Sequence, residues 1–411
     1  MRNCIIIFLY LGKNMANKKI TNYKSGRHFL QVPGPSNVPD RITQAIANPT
    51  IDHRGPAFSE LVLNIIPRVK KIFNTDSPIM IYPSSATGSW ESSIVNTLSP
   101  KDKIMMFDSG DFALKWKIVA ERFGLEIAYV PCDWRAGIDP NMIEKLLKED
   151  KKQEIKSVMV VHNETSTGVA NSMKEIREAI NQAKHPALLM VDAVSSAFSI
   201  EYLQDEWGVD VTIAGSQKGL MLPPGLSFNV VSEKALNAHK KASLPKSYWD
   251  WSDVLPSNET GFYPYTPATT LLFGLKEALI MIEEEGMENM YKRHYHHSQA
   301  AQIAVKAWGL ENHCSIPKKS SHTVTAVKLP ENHSANNLRS VILEEFDMSL
   351  GTGLGKLMDK VFRIGHLGSF NDLMLLGTLS GVEMGLEIAN VPYNKGGVQA
   401  AMSYLISNKN N

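Results

Sequence analysis

The feature that most constrains this chain is an alternation. From about residue 78, the short apolar runs "PIMIYP", "KIMMFD", "EIAYVPC", "KSVMVVH" and "ALLMVDAV" trade places with "SWESSIVNTL", "FALKWKIVAERFG", "DPNMIEKLLKED" and "SMKEIREAINQAKH". Apolar runs this short, without polar alternation, suit strands covered on both faces. The segments between them carry helical spacing, with Asp139 as an N-cap ahead of Pro140 and Gly124 as a helix stop. Strand and helix in turn mean βαβ units, hence an α/β domain around a mostly parallel sheet. In such sheets, ligand groups gather in the loops beyond the carboxyl ends of the strands.

The texture changes after about residue 285, where "ENMYKRHYHHSQAAQIAVKAWG" reads as a long helix and "SHTVTAVKL" as a strand. This divides the chain into a large domain over 41–285 and a smaller C-terminal α+β domain over 286–411. Residues 15–40, with "QVPGPSNVPD", read as an extended arm outside the sheet. The opening "MRNCIIIFLYLG" looks like a weak signal sequence, but it is too short to span a bilayer and no small-residue cleavage site follows. We expect Met15 to be the natural start and residues 1–14 to be a non-native or disordered extension. The hydrophobic fraction of 43%, charged fraction of 21% and net charge of +1 are those of a soluble globular protein. No overall field favours nucleic acid or a membrane. Cys4, Cys132 and Cys314 form no CxxC and no disulfide framework, which points to a reducing, cytoplasmic setting.

Four strand ends carry polar groups. "YPSSATGSWES" joins a strand to a helix start through Ser84, Ser85, Ala86, Thr87 and Gly88, and a helix N-terminus with small residues can cradle a phosphate. Most such loops are only caps. "VVHNETSTG" places Asn163, Glu164, Thr165 and Thr167 after a strand, where a cap for the following helix is the simpler reading. Asp192 ends a buried run, so it needs a partner that repays its desolvation. That partner is either nearby backbone or a protonated ring nitrogen. In "VTIAGSQKGLMLPPG", Lys218 follows an apolar strand; desolvation and a neighbouring cation would free its amine as a nucleophile toward an aldehyde. Anion loop, buried Asp and strand-end Lys together match what pyridoxal phosphate requires.

At this point the chain resembles the class V, fold-type I aminotransferases, within them the serine–glyoxylate and alanine–glyoxylate enzymes. The stretches "VPGPSNVP", "DHRGPAF", "SSATGSWES", "HNETSTG", "VDAVSS", "GSQKGLMLPPGL", "YPYTPATTLLFGL" and "VFRIGHLG" carry the resemblance, in the family's order, from about residue 28 to 395. It implies that Lys218 holds the cofactor aldehyde covalently and moves the substrate α-proton, while Asp192 pairs with the pyridine nitrogen. Ser85, Ala86, Thr87 and Gln217 would grip the phosphate, with Tyr263 and Thr266 reaching it from a neighbouring subunit of a homodimer. Thr165 would lie near the ring hydroxyl and Phe112 against the ring face, leaving Trp116 to core packing. Arg363 would orient the substrate carboxylate through paired hydrogen bonds, and Gly34 would line the substrate. Ala86 stands where many relatives carry glycine, which leaves open a reshaped cradle. The implied reaction passes the amino group of L-serine to glyoxylate, giving glycine and hydroxypyruvate, with alanine or aspartate as rival donors. Cysteine desulfurase chemistry has no suitably placed cysteine.

Three further signals carry no site. "LGTGLGK" (350–356) does not fit G-x-G-x-x-G or a P-loop and reads as a flexible loop. His294, His296 and His297 read as a solvated helix face, with no metal expected. His366 reads as a packing histidine.

Overall fold

The computed structural model describes residues 25–409. In chain order the strands are β1 (Phe29–Gln31), β2 (Ile79–Tyr82), β3 (Lys103–Asp108), β4 (Glu126–Pro131), β5 (Ile155–Val161), β6 (Asn163–Glu164), β7 (Val169–Ala170), β8 (Leu188–Asp192), β9 (Val211–Gly215), β10 (Ser227–Val231), β11 (Glu311–Asn312), β12 (Val324–Lys328), β13 (Met348–Thr352) and β14 (Val361–Gly365). The expectation for residues 1–14 lies outside the described residues.

A seven-stranded sheet has the order β2-β10-β9-β8-β5-β3-β4. β10 is antiparallel to both of its neighbours, β2 and β9, and the remaining pairings are parallel. Every residue of β2, β8 and β9 is buried, as the unbroken apolar runs require. Local signals close the connecting helices. Asp139 accepts from the Asn141 N–H with Pro140 at the first helical position. Ser172 accepts from the Glu175 N–H. Gly124 takes a positive φ of 74° just past the helix Asp111–Arg122.

The second sheet has the order β1-β13-β14-β12-β11. β1 pairs in parallel with β13, so residues 29–31 of the expected free arm are an edge strand of this sheet. The three residues "FLQ" are too few to signal a strand by period, and only the tertiary partner reveals one. A separate core of Trp308, Leu338, Phe362, Leu379 and their neighbours backs this sheet. The helix Met287–Ala307 reaches both cores, with Met290 in the first and Ala300, Ala301 and Ala304 in the second.

The histidine-rich stretch is not a solvated face. His294 and His297 are buried; His294 Nδ1 faces the Met290 carbonyl, its Nε2 accepts from the Gly368 N–H, and His297 Nε2 pairs with Asp372. Among the described residues no cluster of three or more His, Cys, Asp or Glu is arranged to hold a metal.

Candidate active site

β9 ends at Gly215, and the chain then turns sharply. Ser216 pins the turn, because its Oγ donates to the Pro223 carbonyl while accepting from the Leu226 N–H. Lys218 follows, 8% exposed, with Nζ donating to the Pro33 carbonyl at 2.6 Å. The N-terminal segment straps this turn: the Ser36 N–H bonds the Gln217 carbonyl and Ser36 Oγ the Lys218 carbonyl. Gly34 has φ +98°, and a Cβ there would overlap the Lys218 side-chain tip. Burial, aided by the Arg363 charge and opposed by Asp192, lowers the Lys218 amine to about 8. A sizeable neutral fraction is therefore present near neutral pH.

Asp192 ends β8 and is 4% exposed. Its Oδ1 accepts from the Val194 N–H and its Oδ2 from Trp90 Nε1, both at 2.9 Å. Burial still raises the carboxyl to about 7, with the Glu164 charge adding to the rise and Lys218 opposing it. A carboxylate so poised gains from a third, cationic partner, and a protonated ring nitrogen supplies one.

Ser85 is the N-cap residue of the helix Ala86–Thr97, yet its hydroxyl makes no capping bond. The first-turn N–H groups thus lack a side-chain acceptor, which suits an anion. Gln217 Oε1 is buried without a hydrogen-bond partner among the described residues. A Cβ on Gly215 would stand 3.2 Å from that oxygen and 3.5 Å from Ala86 Cβ, so Gln217 and the helix start meet at one spot. Ala86 is the first helical residue and has no positive φ, so alanine costs the cradle no backbone strain. An uncapped helix start and an orphaned amide fit a phosphate group. With Lys218 and Asp192, the residues present fit pyridoxal phosphate.

Arg363 lies on β14, 6% exposed. Its Nε and Nη1 donate to the Thr352 and Thr165 carbonyls, each at 2.8 Å. Burial lowers it to about 10, so it stays charged at neutral pH, supported by the nearby Glu164 and Asp111 charges.

Glu164 does more than a local cap. It is fully buried and accepts from the Ala113 and Phe112 N–H groups and from Ser166 N–H and Oγ. It caps the helix Asp111–Arg122, which precedes it by some fifty residues, and not the helix that follows. That cap fixes the first turn of the helix, where Phe112 sits half-buried with the Lys115 ammonium 4.9 Å from its ring centroid. Trp116 is fully buried and stacks on Trp90, as core packing requires. Thr165 Oγ1 donates to Ser195 Oγ, which donates on to the Asn163 carbonyl. The sequence reads Asn163 only as part of a helix cap and gives Ser195 no role. The same is true of Trp90, whose place in "GSWES" reveals helix, not function.

Tyr263 is buried against Phe58 and Tyr265, and Thr266 is exposed; among the described residues neither makes a hydrogen bond or ring contact with Lys218. The "LGTGLGK" stretch is no free loop. It is β13 and a short turn, fastened where Lys356 Nζ meets Asp108 Oδ2 at 2.6 Å. His366 is a buried packing histidine between Thr325 and the His322 carbonyl.

The family model for class-V aminotransferases matches residues 29–356. The chain belongs to the class-V aminotransferases. It is 45% identical to a serine–glyoxylate aminotransferase of Methylorubrum extorquens, across 94% of this chain and 98% of that protein. It is 44% identical to the Arabidopsis thaliana serine–glyoxylate aminotransferase, across 93% of this chain and 96% of that one. It is 42% identical to an L-aspartate–glyoxylate aminotransferase of Paracoccus denitrificans, across 91% and 95%. Among solved structures, the ureidoglycine–glyoxylate aminotransferase of Bacillus subtilis superposes with a TM-score of 0.86 at 28% identity, covering 94% of this chain and all of that one. The aminotransferase fold is therefore the fold-type I arrangement expected from the sequence, and its cofactor is pyridoxal phosphate. Arg363 lies beyond the stretch matched by the family model, so its role rests on its own geometry.

Proposed function

We propose that this aminotransferase passes the amino group of L-serine to glyoxylate, forming glycine and hydroxypyruvate. The observation that carries the reading is that buried Lys218 lies where the charges of both Asp192 and Arg363 act on its amine. The serine–glyoxylate names of the relatives at 44–45% identity select the donor and acceptor.

Pyridoxal phosphate, when bound, supplies a ring that withdraws electrons from the substrate α-carbon. Ser85, Ala86, Thr87 and Gln217 would hold its phosphate, Asp192 its ring nitrogen, Thr165 its ring-hydroxyl side and Phe112 its face. Lys218 would hold its aldehyde, where the lowered basicity of Nζ leaves a free amine. Nζ would also be the base that takes the proton from the substrate α-carbon. Arg363, anchored by two carbonyls, receives the substrate carboxylate, and Gly34 leaves room beside Nζ. Burial of all three charged groups keeps water out and strengthens each interaction.

Aspartate is the rival donor, favoured by the relative from Paracoccus denitrificans. Its second carboxylate calls for a second cation. Arg339, whose charge acts on Arg363, is a cation close to it. The relatives at 44–45% identity, named for serine, favour serine. The test mixes the loaded enzyme with serine, alanine or aspartate and follows the cofactor absorbance in each half-reaction. Serine should convert it fastest; faster conversion by aspartate contradicts the assignment.

We further propose a cytoplasmic homodimer in which Tyr263 and Thr266 complete the partner's phosphate site. Exposed Thr266 and the free thiols of Cys132 and Cys314 support this. No helix among the described residues is long and apolar enough to cross a membrane. Mixing Lys218→Ala with Tyr263→Ala subunits should restore activity; a mixture as inactive as its components contradicts shared sites.

A further inference from the structure

Trp90 sits one helical turn beyond Ala86 on the helix Ala86–Thr97. Residues four apart share a helix face. The face that opens the phosphate cradle therefore also carries the indole, whose Nε1 donates to Asp192 Oδ2 at 2.9 Å. The indole is held by stacking on Trp116, with centroids 5.8 Å apart and planes 16° from parallel. The other Asp192 oxygen is held by Val194 N–H, from the turn after β8. Both carboxylate oxygens are thus fixed by donors from different elements, and the group cannot swing. We propose that Trp90 is a positioning residue that fixes the Asp192 carboxylate for the cofactor ring nitrogen, so that one rigid helix sets both the phosphate cradle and the ring-nitrogen partner. This rests on the pyridoxal phosphate reading of the site.

The neighbouring indole provides a matched control. Trp116 is also buried, lies in the same stack, and its Nε1 has no hydrogen-bond partner among the described residues. Trp90→Phe and Trp116→Phe each remove one indole from the stack, but only the first removes a hydrogen bond to Asp192. The experiment titrates wild type, Trp90→Phe and Trp116→Phe apoproteins with pyridoxal phosphate and follows bound cofactor by absorbance from about pH 6 to about pH 9. A hydrogen bond to a charged group is worth enough to weaken binding by roughly ten- to a hundredfold. That loss is expected in Trp90→Phe, with an altered pH dependence as Asp192 becomes harder to ionise. Trp116→Phe should stay within about threefold of wild type. Replacing Trp90 with benzothienylalanine, which keeps the fused ring and lacks the N–H, tests the same bond should Trp90→Phe fail to fold. Wild-type binding and pH dependence in the Trp90 variants overturn the inference, and so does an equal loss in both tryptophan variants. Failure of the wild type to bind pyridoxal phosphate overturns the underlying reading instead.

Discussion

At the scale of single residues, the site is a set of costs that only a bound partner offsets. Asp192 sits at about 7 in the folded chain, against about 3.9 for a free aspartate. Between those values the folded protein holds a proton that the unfolded chain has shed. Its contribution therefore makes the apoprotein lose stability as pH rises from about 4 to about 7, and then levels off. Asp192→Asn should remove that part of the slope. Urea midpoints of the two apoproteins across the window check this, and parallel slopes contradict it. Gly34 is constrained twice, by φ +98° and by Lys218 lying where its Cβ would go. Gly34→Ala should cut turnover by at least roughly tenfold through displacement of Nζ, measured as kcat in the serine–glyoxylate assay. Turnover equal to wild type contradicts the close approach. Lys218 and Asp192 were legible because an ionisable group at the end of an apolar run has few places to go. Trp90 was not, because an indole on a buried helix looks the same whether or not its N–H has a partner.

At the scale of elements, Glu164 ties three pieces together. It closes the start of the helix Asp111–Arg122, orders the Ser166 turn and lies near Arg363. Burial pushes the Glu164 carboxyl up and its four donors oppose the rise; Glu164→Gln keeps the shape but removes one acceptor at the helix start. It should cost about 1–2 kcal/mol, read as a lower urea midpoint with unchanged m; an unchanged midpoint contradicts the capping role. Arg363→Lys loses the planar fork, and with it either the two carbonyl anchors or the paired bonds to substrate. Donor KM should rise by roughly ten- to a hundredfold; unchanged KM for both donor and acceptor removes Arg363 from the site. The strands and caps of the large domain could be read from apolar runs and from Asp139, Ser172 and Gly124. β1 could not, since three residues have no period. Nor could the Glu164 cap, because its partner helix is distant in sequence.

At the scale of the whole molecule, Arg363, proposed to bind the substrate, lies on β14 of the second sheet, and Lys218, proposed to hold the cofactor, follows β9 of the first. What holds them in register is the junction between the sheets. Lys356 pairs with Asp108 and lies over Trp134, the Arg135 Nε donates to the His313 carbonyl, and Lys319 Nζ donates to the Ala136 and Ile138 carbonyls. The Lys356 pair is exposed, so Lys356→Ala should shift stability by less than about 1 kcal/mol. Because Lys356 fastens the connection between β13 and β14, donor KM should nonetheless rise severalfold. The same KM with the same stability denies this link any part in placing Arg363. The central claim, that Lys218 Nζ binds the cofactor, has a direct test. The loaded protein is reduced with borohydride, digested, and its peptides are weighed by mass spectrometry. A pyridoxyl group is expected on the peptide containing Lys218 and nowhere else at stoichiometric yield. A label on another lysine, or none, contradicts it.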